Sequence, residues 1–409
     1  MRKTLIRLAA PVVLAGLIGA ACTTDDDEPD ATDAVEESTD EPADEPADEP
    51  ADEPADEPAD EPADEPADEE PADEEPADEE PVEEVQSGES LLDTVIANDA
   101  VRCGTRDALP GFAVLTEDGD HVGFDADFCR VIAAAVLGDA TKVDFIDLET
   151  PDRFTALQSG EVDVLVRNTT WTASRDGGEG ATFLQPNFYD GQGMMVAADS
   201  GFASLTDMDG VIVCVAQGTT TEGNAAAEAA RLGLNWEIRA FEDVELIQQA
   251  FEAGQCDGWS SDRSQLTGLR SEFPAGPEAL TILPETFSKE PLAPAVSDGD
   301  TRWAQAVNWA VFATIQAEEF GITSENVGDF ADTTDITIQR FLGLEIEGDD
   351  GAAVLDPGLG LPPDFGFQVV SQVGNYGEIF DAHLAPLGLE RGVNSLWTDG
   401  GLLYAPPYR

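Results

Sequence analysis

Ala156-Leu157-Gln158-Ser159-Gly160-Glu161-Val162-Asp163 returns, 94 residues later, as Ala250-Phe251-Glu252-Ala253-Gly254-Gln255-Cys256-Asp257. Each copy reads as a helix end, a glycine cap and the opening of a strand. Around the two copies, short β-rich runs alternate with helical stretches. Strands are expected at 143–146, 162–166, 211–215 and 236–241, and helices at 125–136, 152–158, 219–232, 244–253 and 263–272. This alternation predicts an α/β fold with mainly parallel sheets. Asn168 stands five residues beyond Asp163, and Asp262 five beyond Asp257. Both fall just past the carboxyl ends of corresponding strands, where open α/β sheets bind ligands. Two such lobes facing each other would make a cleft with a polar rim from each side.

The chain around this core is divided by composition. Arg2, Lys3 and Arg7 precede an apolar run over 8–18 and the small-residue junction Gly19-Ala20-Ala21-Cys22. Residues 1–22 are expected to be a lipoprotein signal peptide, too short for a membrane span, with Cys22 the lipidated mature N-terminus. Gly19 stands where such junctions more often carry Leu, Val or Ile. Residues 23–88, largely a repeat of Asp-Glu-Pro-Ala, hold no base. Dense like charge and regular proline preclude a packed core, so this segment is expected to be a disordered acidic linker.

About 320 residues remain to fold, enough for two domains or one bilobed unit. Residues 91–409 carry 52 acids against 16 bases, a net charge of −36. That excess argues against nucleic acid and anionic lipid surfaces as partners. Besides Cys22 there are Cys103, Cys129, Cys214 and Cys256, an even set that suits disulfides in an exported protein. Four cysteines allow three pairings. The two-lobe organisation favours Cys103 with Cys129 and Cys214 with Cys256, one pair within each lobe.

The cleft would have distinctive chemistry. Asn168-Thr169-Thr170-Trp171-Thr172-Ala173-Ser174-Arg175 packs donors and one cation around a strand-to-helix loop. Arg175 suits a bidentate contact with a carboxylate, helped by Thr170. Gly218-Thr219-Thr220-Thr221-Glu222 opens a helix, whose N-terminal N–H groups with the hydroxyls of Thr220 and Thr221 also suit an anion. Asp262 supplies the opposite charge for an ammonium. One cation and one anion at fixed separation define a receptor for an α-amino acid. Plainer roles are open to each: a surface ion pair for Arg175, helix caps for the threonines and for Asp262.

His121 and His383 are the only histidines, too few and too isolated for a zinc or His-based catalytic site, and no cofactor motif is present. No metal or cofactor is therefore expected.

The chain resembles the family 3 extracellular solute-binding proteins of ABC importers, and within them the general L-amino-acid-binding subgroup. The resemblance rests on Val122-Gly123-Phe124-Asp125-Ala126-Asp127-Phe128-Cys129, on 153–163 and on Arg167-Asn168-Thr169-Thr170-Trp171-Thr172. It continues through Tyr189-Asp190-Gly191-Gln192-Gly193, Gly218-Thr219-Thr220-Thr221-Glu222, Ser288-Lys289-Glu290-Pro291-Leu292, Gly374-Asn375-Tyr376-Gly377-Glu378 and Tyr404-Ala405-Pro406-Pro407. It implies a type II periplasmic-binding-protein fold, two α/β lobes joined by a two-segment hinge near 190–196 and 289–296. Lobe 1 would comprise 91–190, lobe 2 197–288, and 297–409 would return to lobe 1 and add a C-terminal extension.

The resemblance further implies that Arg175 grips an α-carboxylate with Thr170 and the Thr220 region, and that Asp262 takes the α-ammonium. Asn168 would lie beside Asp262 on the opposite rim, and Leu109 and Phe112 would pack against the ligand side chain. Arg106 replaces the short polar residue usual in relatives. It would either favour acidic side chains such as glutamate or pair at the surface with neighbours such as Asp107. The expected protein is a monomeric binder, lipid-anchored at the outer face of the cytoplasmic membrane or in the periplasm or cell envelope. It would deliver L-amino acids to an ABC permease and its ATPase. Rivals are a receptor selective for glutamate and aspartate and, from another class, a dehydratase-like enzyme on the same fold.

Overall fold

The computed structural model describes residues 90–348 and 351–408. The expected signal peptide, Cys22 and the linker over 23–88 lie outside the described residues.

Two five-stranded sheets dominate. The first has the order Val143–Asp147, Val101–Thr105, Val164–Leu165, Ala295–Ser297, Ala181–Phe183. The second has the order Glu237–Phe241, Ile212–Ala216, Gly258–Asp262, Gln192–Ala197, Leu280–Ile282. In each, one strand, Ala295–Ser297 or Gln192–Ala197, runs against the other four. That strand is the one arriving from the other half of the molecule. It enters at the end where the parallel strands finish, so it must run the opposite way.

The repeated segment behaves alike in both places. Gly160 at φ 72° and Gly254 at φ 67° take the left-handed backbone that ends each helix, a conformation without steric cost only for glycine. The Asp163 N–H donates to the Arg102 carbonyl at 2.8 Å, while the Asp163 carboxylate accepts the Arg102 N–H at 2.8 Å. The Asp257 N–H donates to the Ile212 carbonyl at 2.8 Å, and its carboxylate accepts the Ile212 N–H, again at 2.8 Å. One acidic residue thus locks the register of neighbouring strands in each lobe.

The chain crosses between lobes through Phe188–Asp190 and Glu290–Leu292, which pair as an antiparallel ribbon with Glu290 opposite Asp190. Thr170 bridges to Leu292 on one side of this ribbon, with the Trp171 N–H donating to the Pro291 carbonyl at 2.8 Å. On the other side the Asn394 side chain accepts the Tyr189 N–H at 2.7 Å and donates to the Tyr189 carbonyl at 2.9 Å.

Disulfides join Cys103 to Cys129 and Cys214 to Cys256, with Cα separations of 6.0 and 5.8 Å. The helices Phe124–Leu137, Thr301–Glu319, Phe365–Gln372 and Tyr376–His383 pack together on the first sheet's side, around Phe124, Phe128, Phe188, Tyr376 and Phe380. Burying aromatic rings edge to face is worth roughly 0.5–1.5 kcal/mol per pair beyond the area removed from water. The C-terminal residues are therefore part of this lobe's core. Among the described residues no helix is long and apolar enough to cross a membrane.

Candidate functional site

The carboxyl ends of the central strands of both sheets meet at a small cavity, partly open to solvent. Its walls include Arg106, Asn168, Thr170 and Arg175 from one lobe and Thr220, Thr221 and Asp262 from the other. Seven residues singled out from sequence are thus brought together. Leu109 and Phe112 do not line it. Both are buried, and Phe112 packs edge-on against Phe124 and Phe188, because the segment expected as a ligand-facing loop folds into a small sheet, Ala108–Leu109, Ala113–Leu115 and His121–Val122, seated on the core.

Arg175 lies in the short helix Ala173–Gly178, capped by the Thr172 hydroxyl, which accepts the Arg175 N–H at 3.2 Å. Its guanidinium donates to the Thr170 carbonyl at 2.9 Å and lies over the Phe154 ring, which fixes it while leaving other donors open. Across the cavity the helix Thr220–Leu232 begins without a side-chain cap. Thr219, at the cap position, donates its hydroxyl to the Ala216 carbonyl at 2.7 Å instead. The first-turn N–H groups are therefore left for an anion, at the positive end of the helix dipole. Thr220 contributes through this backbone, since its hydroxyl donates to Glu290 at 2.9 Å.

Asp262 ends the strand Gly258–Asp262 and is 6% exposed. It makes no side-chain cap to the helix it precedes, and among the described residues no cation lies within 4 Å of it. Burial, reinforced by Asp190 and Glu290 and opposed by Arg175 and Arg106, pushes its carboxyl well above the usual range. Asp190 rises to about 6, mainly by burial, although it accepts hydrogen bonds from the Ser264 hydroxyl and N–H. Three carboxylates thus converge on the hinge side of the cavity, short of positive charge.

The opposite wall is short of negative charge. Arg153 and Arg167, each 3% exposed, join Arg106 and Arg175 there. Arg153 donates to the Gly218 carbonyl of the other lobe at 3.1 Å, and its Nε is buried without a partner. Arg167 donates to the Leu148 carbonyl at 2.8 Å and the Thr150 hydroxyl at 3.1 Å. Burial lowers the pKa of all four, and mutual repulsion adds to it at Arg153 and Arg167. Guanidinium remains charged under these conditions.

Sequence reading missed Arg153, Arg167 and Gln265. Arg167 directly precedes Asn168, and Gln265 follows Asp262 by less than one helical turn, so both were adjacent to residues already singled out. Asn168 itself has φ 33°, rare for a non-glycine residue, and its N–H donates to the buried Asp125 carboxylate at 2.9 Å. The two histidines pair with Asp147 and Asp127, outside the cavity lining. No group of three metal-ligating side chains occurs among the described residues.

Two matching lobes that meet on a shared cavity, with charges of both signs in its walls, suit the binding of a small charged solute. The chain belongs to the bacterial extracellular solute-binding proteins, family 3, whose match spans residues 101–325. It is 44% identical to the general L-amino acid-binding periplasmic protein AapJ of Rhizobium johnstonii, over 78% of this chain and 92% of that one. It is also 44% identical to the glutamate/glutamine/aspartate/asparagine-binding protein BztA of Rhodobacter capsulatus, over 78% and 94%. A solved ABC transporter periplasmic binding protein from Brucella ovis, with glutathione bound, is 42% identical and matches with a TM-score of 0.75, over 79% of this chain and 100% of that one. The chain is accordingly a binding protein and not an enzyme.

Proposed function

We propose that the protein captures free L-amino acids in the interlobe cavity and delivers them to an ABC permease and its ATPase. The α-carboxylate lies between the Arg175 guanidinium, Thr170 and the uncapped N-terminus of the helix beginning at Thr220. The α-ammonium lies against Asp262. The observation that carries this reading is the pairing of a helix N-terminus whose cap hydroxyl is turned away with a buried carboxylate that has no cation beside it. The names of the relatives support an amino acid as the ligand.

Binding proceeds by hinge closure about the ribbon of Phe188–Asp190 and Glu290–Leu292. Closure expels water and strengthens both charged contacts, so the loaded form is distinct from the empty one. A lipid on Cys22, spaced by residues 23–88, would hold the protein at the membrane surface.

Calorimetric titration of the full chain with glutamate, glutamine, leucine and arginine tests the reading. Binding lost in both Arg175→Ala and Asp262→Ala is expected. Folded wild-type protein that binds none of the four would overturn it. Membrane fractionation of Cys22→Ser tests the anchor separately.

A further inference from the structure

Resting on that reading of the clamp, we infer that Arg106 receives a carboxylate at the end of the ligand side chain, so that the cleft selects dicarboxylic amino acids over their amides. Arg106 follows the central strand Val101–Thr105 and reaches across the cavity. Its hydrogen-bond partners are two amide oxygens on opposite lobes, Asn168 Oδ1 at 3.3 Å and Gln265 Oε1 at 3.4 Å. Both contacts are long for an N–H···O bond. Gln265 Oε1 also accepts from Asn168 Nδ2 at 3.2 Å, so Arg106 competes for it. Among the described residues no carboxylate lies within 4 Å of this guanidinium.

The charge balance points the same way. The lining holds four arginines and a single acid, Asp262; of the nearby acids, Asp190 and Glu290 lie toward Asp262 and Asp125 lies toward Arg106. An amino acid's own carboxylate and ammonium satisfy Arg175 and Asp262 and leave Arg106 still without a carboxylate in contact. Arg153 and Arg167 are held by main-chain carbonyls, whereas Arg106 is held only by side-chain amides that can turn away. Exchanging a shared amide oxygen for a carboxylate gives Arg106 a charge-assisted, bidentate partner. A neutral amide in the same place returns only what Asn168 and Gln265 already supply.

The test is calorimetric titration of the full chain with L-glutamate, L-glutamine, L-aspartate and L-asparagine, repeated on Arg106→Gln and Arg106→Lys. A hydrogen bond to a charged group, worth about 1.5–3 kcal/mol, predicts that the better acid binds roughly 10–100-fold tighter than its amide. The ratio should fall toward one in Arg106→Gln and be partly kept in Arg106→Lys. Equal binding of acids and amides by the wild type overturns the inference while leaving the amino-acid receptor intact. So does a loss in Arg106→Gln that is the same for acid and amide, which would make Arg106 a latch between lobes. Binding of no amino acid by folded wild type fails the receptor reading itself.

Discussion

Gly268 lies on the helix Arg263–Ser271 of one lobe and faces the carbonyl of Pro110 on the other, so closely that a Cβ at Gly268 would stand 2.4 Å from that oxygen. Backbone cannot retreat from such a contact as a flexible side chain would, and the clash exists only while the lobes are together. Alanine is otherwise welcome in a helix interior, by roughly 0.8–1.0 kcal/mol over glycine. Gly268→Ala should therefore leave the empty protein as stable as the parent, or slightly more so. Overpacking the closed interface by about 1–3 kcal/mol should weaken ligand binding roughly 5–150-fold. A thermal melt without ligand and a titration with ligand read the two effects; equal affinity would mean that the bound form does not use this contact.

With the ammonium placed at Asp262 as proposed, binding should be sensitive to pH. With the lobes together its carboxyl is raised by burial and by Asp190 and Glu290, so without a ligand this arrangement favours a protonated Asp262. A ligand ammonium favours the ionised form, so binding releases that proton and affinity rises with pH. Titration of glutamate at a series of pH values above the usual carboxylate range, in buffers of different ionisation enthalpy, should register proton release on binding. Proton uptake instead would contradict the assignment of the ammonium to this residue.

Asp125 affects stability. It is 2% exposed, and burial raises its carboxyl to about 7 against the opposing Asn168 N–H, Arg106 and Arg167. In an unfolded chain the value is about 3.9. The folded form binds the proton more tightly, so this residue's contribution is fully present below about pH 4 and is lost as pH rises through about 7. Asp125→Asn keeps an acceptor for the Asn168 N–H and removes the titration. Relative to the parent it should gain up to roughly 4 kcal/mol above neutrality and nothing near pH 4. Urea unfolding at both ends of that window measures the difference.

The disulfides close loops with sequence separations of 26 and 42 residues. Loop-closure entropy gives each about 3–4 kcal/mol. Replacing Cys103 and Cys129 together, or Cys214 and Cys256 together, with serine should lower stability by that order in a denaturant melt. A loss under 1 kcal/mol would show that the unfolded chain gains little freedom.

The fold was legible because its signals are local. The glycine caps at Gly160 and Gly254, and the aspartates three residues later, mark the same joint wherever it occurs, and pattern alone finds them. Asp262 and the threonines of 219–221 were legible for a related reason, since they sit at or just past a strand's end, and Arg175 lies in the short helix after such a strand. Arg153 was not. Its helix could be read, but the direction of its guanidinium is decided by the Gly218 carbonyl on another lobe, which no local pattern encodes. Phe112, placed against the ligand side chain only through the family resemblance, is buried instead against Phe124 and Phe188, the latter distant in sequence.

The ribbon that joins the lobes is only two strands wide, and such a ribbon ordinarily offers two open edges to any passing chain. Here neither edge is vacant. Thr170 and Trp171 occupy one, and a single amide, that of Asn394, takes both polar groups of Tyr189 on the other. A pivot sealed on both flanks can flex through many cycles without recruiting a strand from its neighbours. Part of that seal is supplied by the same loop that carries the cavity-lining Thr170, so the joint and one wall of the cavity are made from one piece of backbone.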